Sequence, residues 1–222
     1  MPGPAQQPGS PRRVLWVEGK DDKAVVQSLC NQHRLPPAVF RVDEKQGLEP
    51  ILAGLSVELR APNVERFGVV VDGNGNPDAR WDSIRVILES HGYSGVPQTL
   101  QSSGIDLPSM PGGLRFGVWI MPDNGSPGVL EDFAAALVPA GDQVWKRAGE
   151  AVDGIPAEHR RFPEVRRSKA HIHTWLAWQE YPGSPMGQAI GKGDLDAHAP
   201  AAGRFVAWLR RLMLDDPDAG PE

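Results

Sequence analysis

Three apolar runs in this chain each end on an acid and then on small residues. They are "VLWVE" at Glu18, "FGVVVD" at Asp72 and "FGVWIMPD" at Asp123. Gly19 follows the first, Gly73-Asn74-Gly75-Asn76 the second, and Asn124-Gly125-Ser126-Pro127-Gly128 the third. Short β-branched runs bounded by turn residues read as buried strands. The pattern predicts strands near 14–17, 39–42, 67–72 and 116–123. Helical spacing fills the gaps, over about 21–32, 48–59 and 79–91 and onward from about 128. Val25 and Leu29 share one face of the first helix, Trp81, Ile84 and Leu88 one face of the third, and Leu130, Phe133 and Leu137 one face of the fourth. Strands alternating with helices predict an α/β fold, a Rossmann-like and mostly parallel sheet with helices on both faces.

That fold occupies residues 12–140 in this reading. The stretch from Gly92 to Gly113 is rich in Ser, Pro and Gly and has room for one short strand that the pattern does not locate. From 141 to 214 the chain turns helical and Trp-rich, and it ends on Phe205, Trp208, Leu209 and Leu212 at i, i+3, i+4 and i+7. This is a helical extension expected to pack on the sheet. The Pro/Gly/Gln-rich residues 1–11 and the acidic tail 215–222 are expected to be disordered.

Bulk properties narrow the function. A net charge of −5 argues against coating a nucleic acid by charge alone, though not against a local basic patch or a bridging metal. No apolar run approaches the ~18 residues of a membrane span, and the first ten residues carry no secretory signal. Cys30 is the single cysteine, which leaves no disulfide and no cysteine-based zinc site. A cytoplasmic protein that does not engage a membrane is expected.

Parallel strands put their carboxyl ends at one edge of a sheet, where ligands bind. Glu18, Asp72 and Asp123 would meet there. Glu131 and Asp132, on the first turn of the following helix, face the same edge. Carboxylates without cysteine partners suit Mg²⁺ or Mn²⁺, which relieves their mutual repulsion and can bind phosphate in turn. A lone acid after a strand is more often a helix cap or turn residue. Asp21 and Asp22 are read that way, as charges at a helix start.

"VEGKDD" on the first strand followed by "VVVDGNG" on the third resembles the Toprim fold of topoisomerases, primases and overcoming-lysogenization-defect (OLD) nucleases. Together with "GVWIMPDNGSPGVLEDF" and "KAHIHTWLAWQEYPGSPMGQAI", the chain looks like a bacterial family of uncharacterised stand-alone Toprim-like proteins over about residues 12–214. The resemblance implies a general acid/base at Glu18 and Mg²⁺ held by Asp72 and Asn74. Asn74 stands where the family pattern has its second acid. Its carbonyl oxygen can still coordinate, with one charge fewer, and Glu131 or Asp132 could restore that charge.

No tyrosine is marked as a nucleophile, which argues against a topoisomerase, and the chain is too short for a primase. The leading expectation is a Mg²⁺-dependent phosphoryl-transfer enzyme, a nuclease on DNA or RNA, with room for a partner protein such as an ATPase. The alternative is a catalytically degenerate Toprim-fold module that binds nucleic acid, nucleotide or a partner protein. Lys20, Arg166, Arg167 and Lys169 are the candidate nucleic-acid contacts, Lys169 also by reaching the acidic edge. A solvated helix face explains the basic run equally well. His171 and His173, two apart on a helix, point away from each other and make a weak metal signal. Trp119, Trp175, Trp178 and Trp208 are expected in packing. "IGKGD" lacks the spacing of a phosphate-binding loop. A haloacid-dehalogenase reading of Asp72 lacks the second acid two residues on and the first-strand position, and receivers lack the Glu18-Gly19 arrangement and the helical extension.

Overall fold

Alternating apolar residues decide which side of each strand faces which helix layer. In the computed structural model, which describes residues 12–36, 38–108 and 114–214, Leu15 and Val17 point to one side of the sheet with Val70, Trp119 and Met121. Val14 and Trp16 point to the other with Phe67, Val69, Val71, Phe116, Val118 and Ile120. Both faces are therefore apolar and both are covered, as a parallel sheet requires.

The elements run β1 (Arg12–Val17), α1 (Lys20–Gln32), β2 (Arg41–Glu44), α2 (Leu48–Glu58), β3 (Val64–Asp72), α3 (Pro77–Ser90), β4 (Ile105–Leu107), β5 (Arg115–Met121), α4 (Leu130–Ala135), α5 (Gln143–Asp153), α6 (Arg167–Ala177), α7 (Met186–Lys192) and α8 (Pro200–Leu214). The sheet order is β2-β1-β3-β5-β4. Four strands are parallel, and β4 pairs antiparallel with β5 at one edge. The chain moves outward from β1 to β2, then back across β1 to β3. Crossovers in opposite directions go with α1 on one face and α2 and α3 on the other. The reversal leaves a crevice between the carboxyl ends of β1 and β3, the switch point where α/β sheets bind ligands.

Most predicted elements lie within a few residues of their expected bounds. The exception is β4, the short strand inside the long loop. It is held from outside: Trp208 Nε1 on α8 donates to Ile105 O at 2.9 Å. Residues 1–11 and 215–222, and the stretch 109–113 of that loop, lie outside the described residues. Among the described residues no helix is long and apolar enough to cross a membrane.

The helices after residue 141 share one core with the first sheet face. Phe205, Trp208, Leu209 and Leu212 of α8 are all buried there. Arg13 Nη1 donates to Met213 O at 2.6 Å and Arg66 Nη1 to Leu212 O at 3.0 Å, so two strand arginines cap the carbonyl end of α8. α8 can lie this close because Gly68 and Gly117 face each other across β3 and β5. A Cβ at Gly68 would stand 2.8 Å from Leu212 Cδ2 and 2.7 Å from Leu15 Cδ1, and one at Gly117 would stand 2.7 Å from Leu212 Cδ2. Gly68→Ala is expected to destabilise the protein by about 1–3 kcal/mol through overpacking, measured by urea unfolding. An unchanged midpoint would show that α8 can shift freely, contrary to this packing.

Candidate functional site at the carboxyl edge of the sheet

Glu18 is the first residue beyond β1 and Asp72 the last of β3, so each side chain rises into the switch-point crevice. They are linked directly: Asp72 N donates to Glu18 Oε1 at 2.8 Å. Asp72 Oδ1 in turn accepts from Leu130 N at 2.9 Å, at the start of α4. Leu130 is followed by Glu131, a buried acid that forms an ion pair with Lys169 of α6. The Glu131 side chain is 7% exposed and that of Lys169 is 51% exposed, so the ammonium sits between the acids and solvent. Glu18, Asp72, Glu131 and Lys169 thus come together, from β1, β3, α4 and α6.

Asp22 joins them. It lies in the first turn of α1, is only 6% exposed, and its Oδ2 accepts from Gly19 N at 3.1 Å. Its other oxygen, Oδ1, is buried without a hydrogen-bond partner. Burial foremost, then the charges of Asp72 and Glu18, push the Asp22 carboxyl up to about 7. Burial, then Glu18, likewise pushes Asp72 up to about 7, against the Leu130 amide, which favours the charged form. Glu18 is raised too, by burial, while the Asp72 amide and the Arg80 charge act the other way. Sequence reasoning treats Asp22 as a helix-start charge; its place in the cluster comes from tertiary packing.

The backbone around Asp72 is tightly fixed. A Cβ at Gly73 would stand 2.7 Å from Met121 O, so only glycine lets β3 leave the sheet this close to β5. Asn74, at φ +49°, exchanges backbone hydrogen bonds with Gly128: Asn74 N donates at 2.6 Å and Gly128 N at 2.8 Å. This bridge ties the loop after β3 to the loop before α4. Asn76 caps α3, accepting from Ala79 N at 3.0 Å.

Two further acids are engaged locally. Asp123 follows the cis Met121–Pro122 bond and accepts from Gly125 N at 3.1 Å, Ser126 N at 2.7 Å and Ser126 Oγ at 2.9 Å. Despite partial burial, those bonds lower its pKa, with help from the Arg204 charge. Asp132 Oδ2 accepts from Val129 N at 2.9 Å and caps α4. Both carboxylates are thus taken up by their own turn or helix start. The neighbouring Asn124 is 2% exposed and holds its loop through Ile120 N, which donates to its Oδ1 at 2.7 Å.

Among the candidate nucleic-acid contacts, Lys20 is exposed on the first residue of α1. Arg167 Nε donates to Asp153 Oδ1 at 2.7 Å, an exposed pair away from the acids. Arg166 ends a 3₁₀ turn over Glu164–Arg166. His171 contacts Trp145 O at 2.9 Å and stacks on its ring, so it serves α5–α6 packing. Trp119, Trp175 and Trp208 are buried as expected, but Trp178 is 48% exposed, because it lies just past the end of α6 where no element covers it.

The cluster offers oxygen donors only, which would suit a hard divalent cation. Asp22 Oδ1 lacks a partner, and the second oxygens of Glu18 and Asp72 accept no hydrogen bond among the described residues. Among those residues no three acids, histidines or cysteines already stand as a chelating group. A cation would therefore need side-chain rotation to gather its ligands.

No curated protein and no solved structure matches the chain. A family model does, over residues 12–214, which takes in all the described residues. The chain belongs to the family described as protein of unknown function (DUF3226).

Proposed function

We propose that this chain is a Toprim-like, Mg²⁺- or Mn²⁺-dependent phosphoryl-transfer enzyme, a nuclease that hydrolyses DNA or RNA. One observation carries the reading. Glu18 and Asp72, the two positions that the Toprim resemblance singles out, touch through a 2.8 Å hydrogen bond at the switch point, beside the orphaned oxygen of Asp22.

Glu18 is suited to proton transfer because burial raises its pKa towards the range where it can both take and give a proton. Its free oxygen would take the proton of an attacking water as the water oxygen bonds to phosphorus. The bridging P–O bond then breaks, and the proton returns to the leaving oxygen. Asp72, Asp22 and Glu131 would hold the ion, with Asn74 contributing at most a neutral oxygen. A Mg²⁺ or Mn²⁺ ion held there would neutralise phosphate charge and acidify a bound water. Lys169, paired with Glu131 and half exposed, is placed to meet the phosphate.

The test is incubation of the purified chain with labelled single- and double-stranded DNA and RNA, with Mg²⁺, Mn²⁺ or EDTA. Metal-dependent cleavage by the wild type that vanishes in Asp72→Asn is expected. Cleavage equal in EDTA and Mg²⁺ would sink the metal-dependent mechanism. A second reading is a degenerate binding module. The Asn74 position favours it, since its backbone serves the Gly128 bridge and its side chain carries no charge. Binding without hydrolysis under every metal condition would select it.

A further inference from the structure

Four acids crowd the carboxyl edge, and the cation that meets them from the α1 face, Lys169, is already paired with Glu131. A polyanion that meets Lys169 there gains from a second cation with no ion pair of its own. Arg80 supplies one from the opposite face. It lies in the first turns of α3, just past the Asn76 cap and eight positions from Asp72. α3 packs on the α2 side of the sheet, across the strands from α6. The Arg80 side chain is half-buried, and among the described residues its guanidinium makes no hydrogen bond and no ion pair. Its charge nonetheless reaches the Glu18 carboxylate.

Two other arginines of this layer are engaged. Arg85, one turn further along α3, binds Asp82 and Glu89, and Arg12 binds Glu58. A half-exposed guanidinium near Glu18 with no hydrogen bond of its own keeps its donors available to a second anion.

We propose that Arg80 is a substrate-binding residue that clamps a backbone phosphate of the polynucleotide on the α3 side of Glu18, opposite Lys169. The two cations then flank the acids from the two faces of the sheet. The bound strand crosses the edge from the α6 face to the α3 face, with the scissile phosphate over Glu18 and Asp72. Arginine suits this place because its planar fork grips two phosphate oxygens at once. The inference rests on the phosphodiesterase reading and adds the path of the strand to it.

The experiment measures binding of fluorescein-labelled single-stranded DNA and RNA by anisotropy. Ca²⁺ replaces Mg²⁺, and a salt series is run on the full chain, Arg80→Ala, Arg80→Lys and Arg41→Ala. Arg41 sits at the opposite edge, where β2 begins, and removes the same charge. Arg80→Ala should weaken binding at least ~10-fold and reduce the salt slope by about one, while Arg41→Ala changes neither. Arg80→Lys should keep the slope and lose part of the affinity, which also covers the case in which the alanine variant fails to fold. The DNA and RNA arms report which polymer is held. Arg80→Ala binding as the wild type does would overturn the inference. If the wild type still cleaves, the nuclease reading stands without Arg80. A wild type that neither binds nor cleaves removes both.

Discussion

Glu18→Gln is expected to lower metal-dependent cleavage by roughly 10²–10⁴-fold, the range that a general acid/base supplies, while the protein stays as stable as the wild type or gains stability. The two halves come from one contact. Glutamine keeps an oxygen where Glu18 Oε1 accepts the Asp72 amide at 2.8 Å, so the tie between β1 and β3 survives. It removes a charge that, after burial, adds to the raising of both Asp22 and Asp72, and with it the ability to take a proton. Steady-state rates at saturating substrate and thermal melting at neutral pH check the two together. A variant that cleaves within a few-fold of the wild type would show that Glu18 carries no proton. A variant that is inactive and also clearly less stable would reduce Glu18 to a structural link.

Much of this site was legible because strand ends are local events. An apolar run that stops on an acid, followed by glycine, marks Glu18 and Asp72 without knowledge of the partner strands. The alternation that defines the sheet then brings the two ends together. Glu131 was legible for the same reason, at the first turn of a helix that starts beside the same edge. What the pattern could not give is burial. Asp22 looks like any acid at a helix start, and its orphaned oxygen depends on what the fold packs around that turn. α7 packs along α1 from far along the chain, where Ser28 Oγ donates to Gly187 O at 2.6 Å. The strand β4 was illegible for a similar reason. Three residues carry too little periodicity, and the anchor that holds them, Trp208, lies about a hundred residues away. Asp123 carries the same sequence signal as Asp72 and Asp132 the same as Glu131, yet the turn and the helix cap take up their oxygens. Local hydrogen bonds, invisible in spacing, separate the acids that face the crevice from those that fold it.

The crowding of the acids predicts how stability responds to pH. Asp22 and Asp72 each rise from an ordinary 3.8 to about 7 in the folded chain. A carboxyl with a raised folded pKa binds more protons folded than unfolded between those values, so its stabilising contribution is complete below pH ~4 and is lost as pH rises through ~7. For one such group the loss is bounded by about 4 kcal/mol, and sharing of the repulsion between the two acids makes roughly 1–3 kcal/mol the expected size. Asp22→Asn removes the charge at the residue with the orphaned oxygen. The variant should match the wild type near pH 4 and exceed its unfolding free energy at pH 8, and the gap should open between these limits. Comparing the two urea titrations across pH reads Asp22 together with its coupling to Asp72 and Glu18, because no other group differs between the two chains. Added Mg²⁺ should stabilise the wild type at pH 8 more than at pH 5, since protonated acids are poor ligands. Asp22→Asn should lose part of that gain. Parallel stability curves for wild type and variant from pH 4 to 8 would show that Asp22 is solvated and ordinary, and would leave the cluster with Glu18, Asp72 and Glu131 alone.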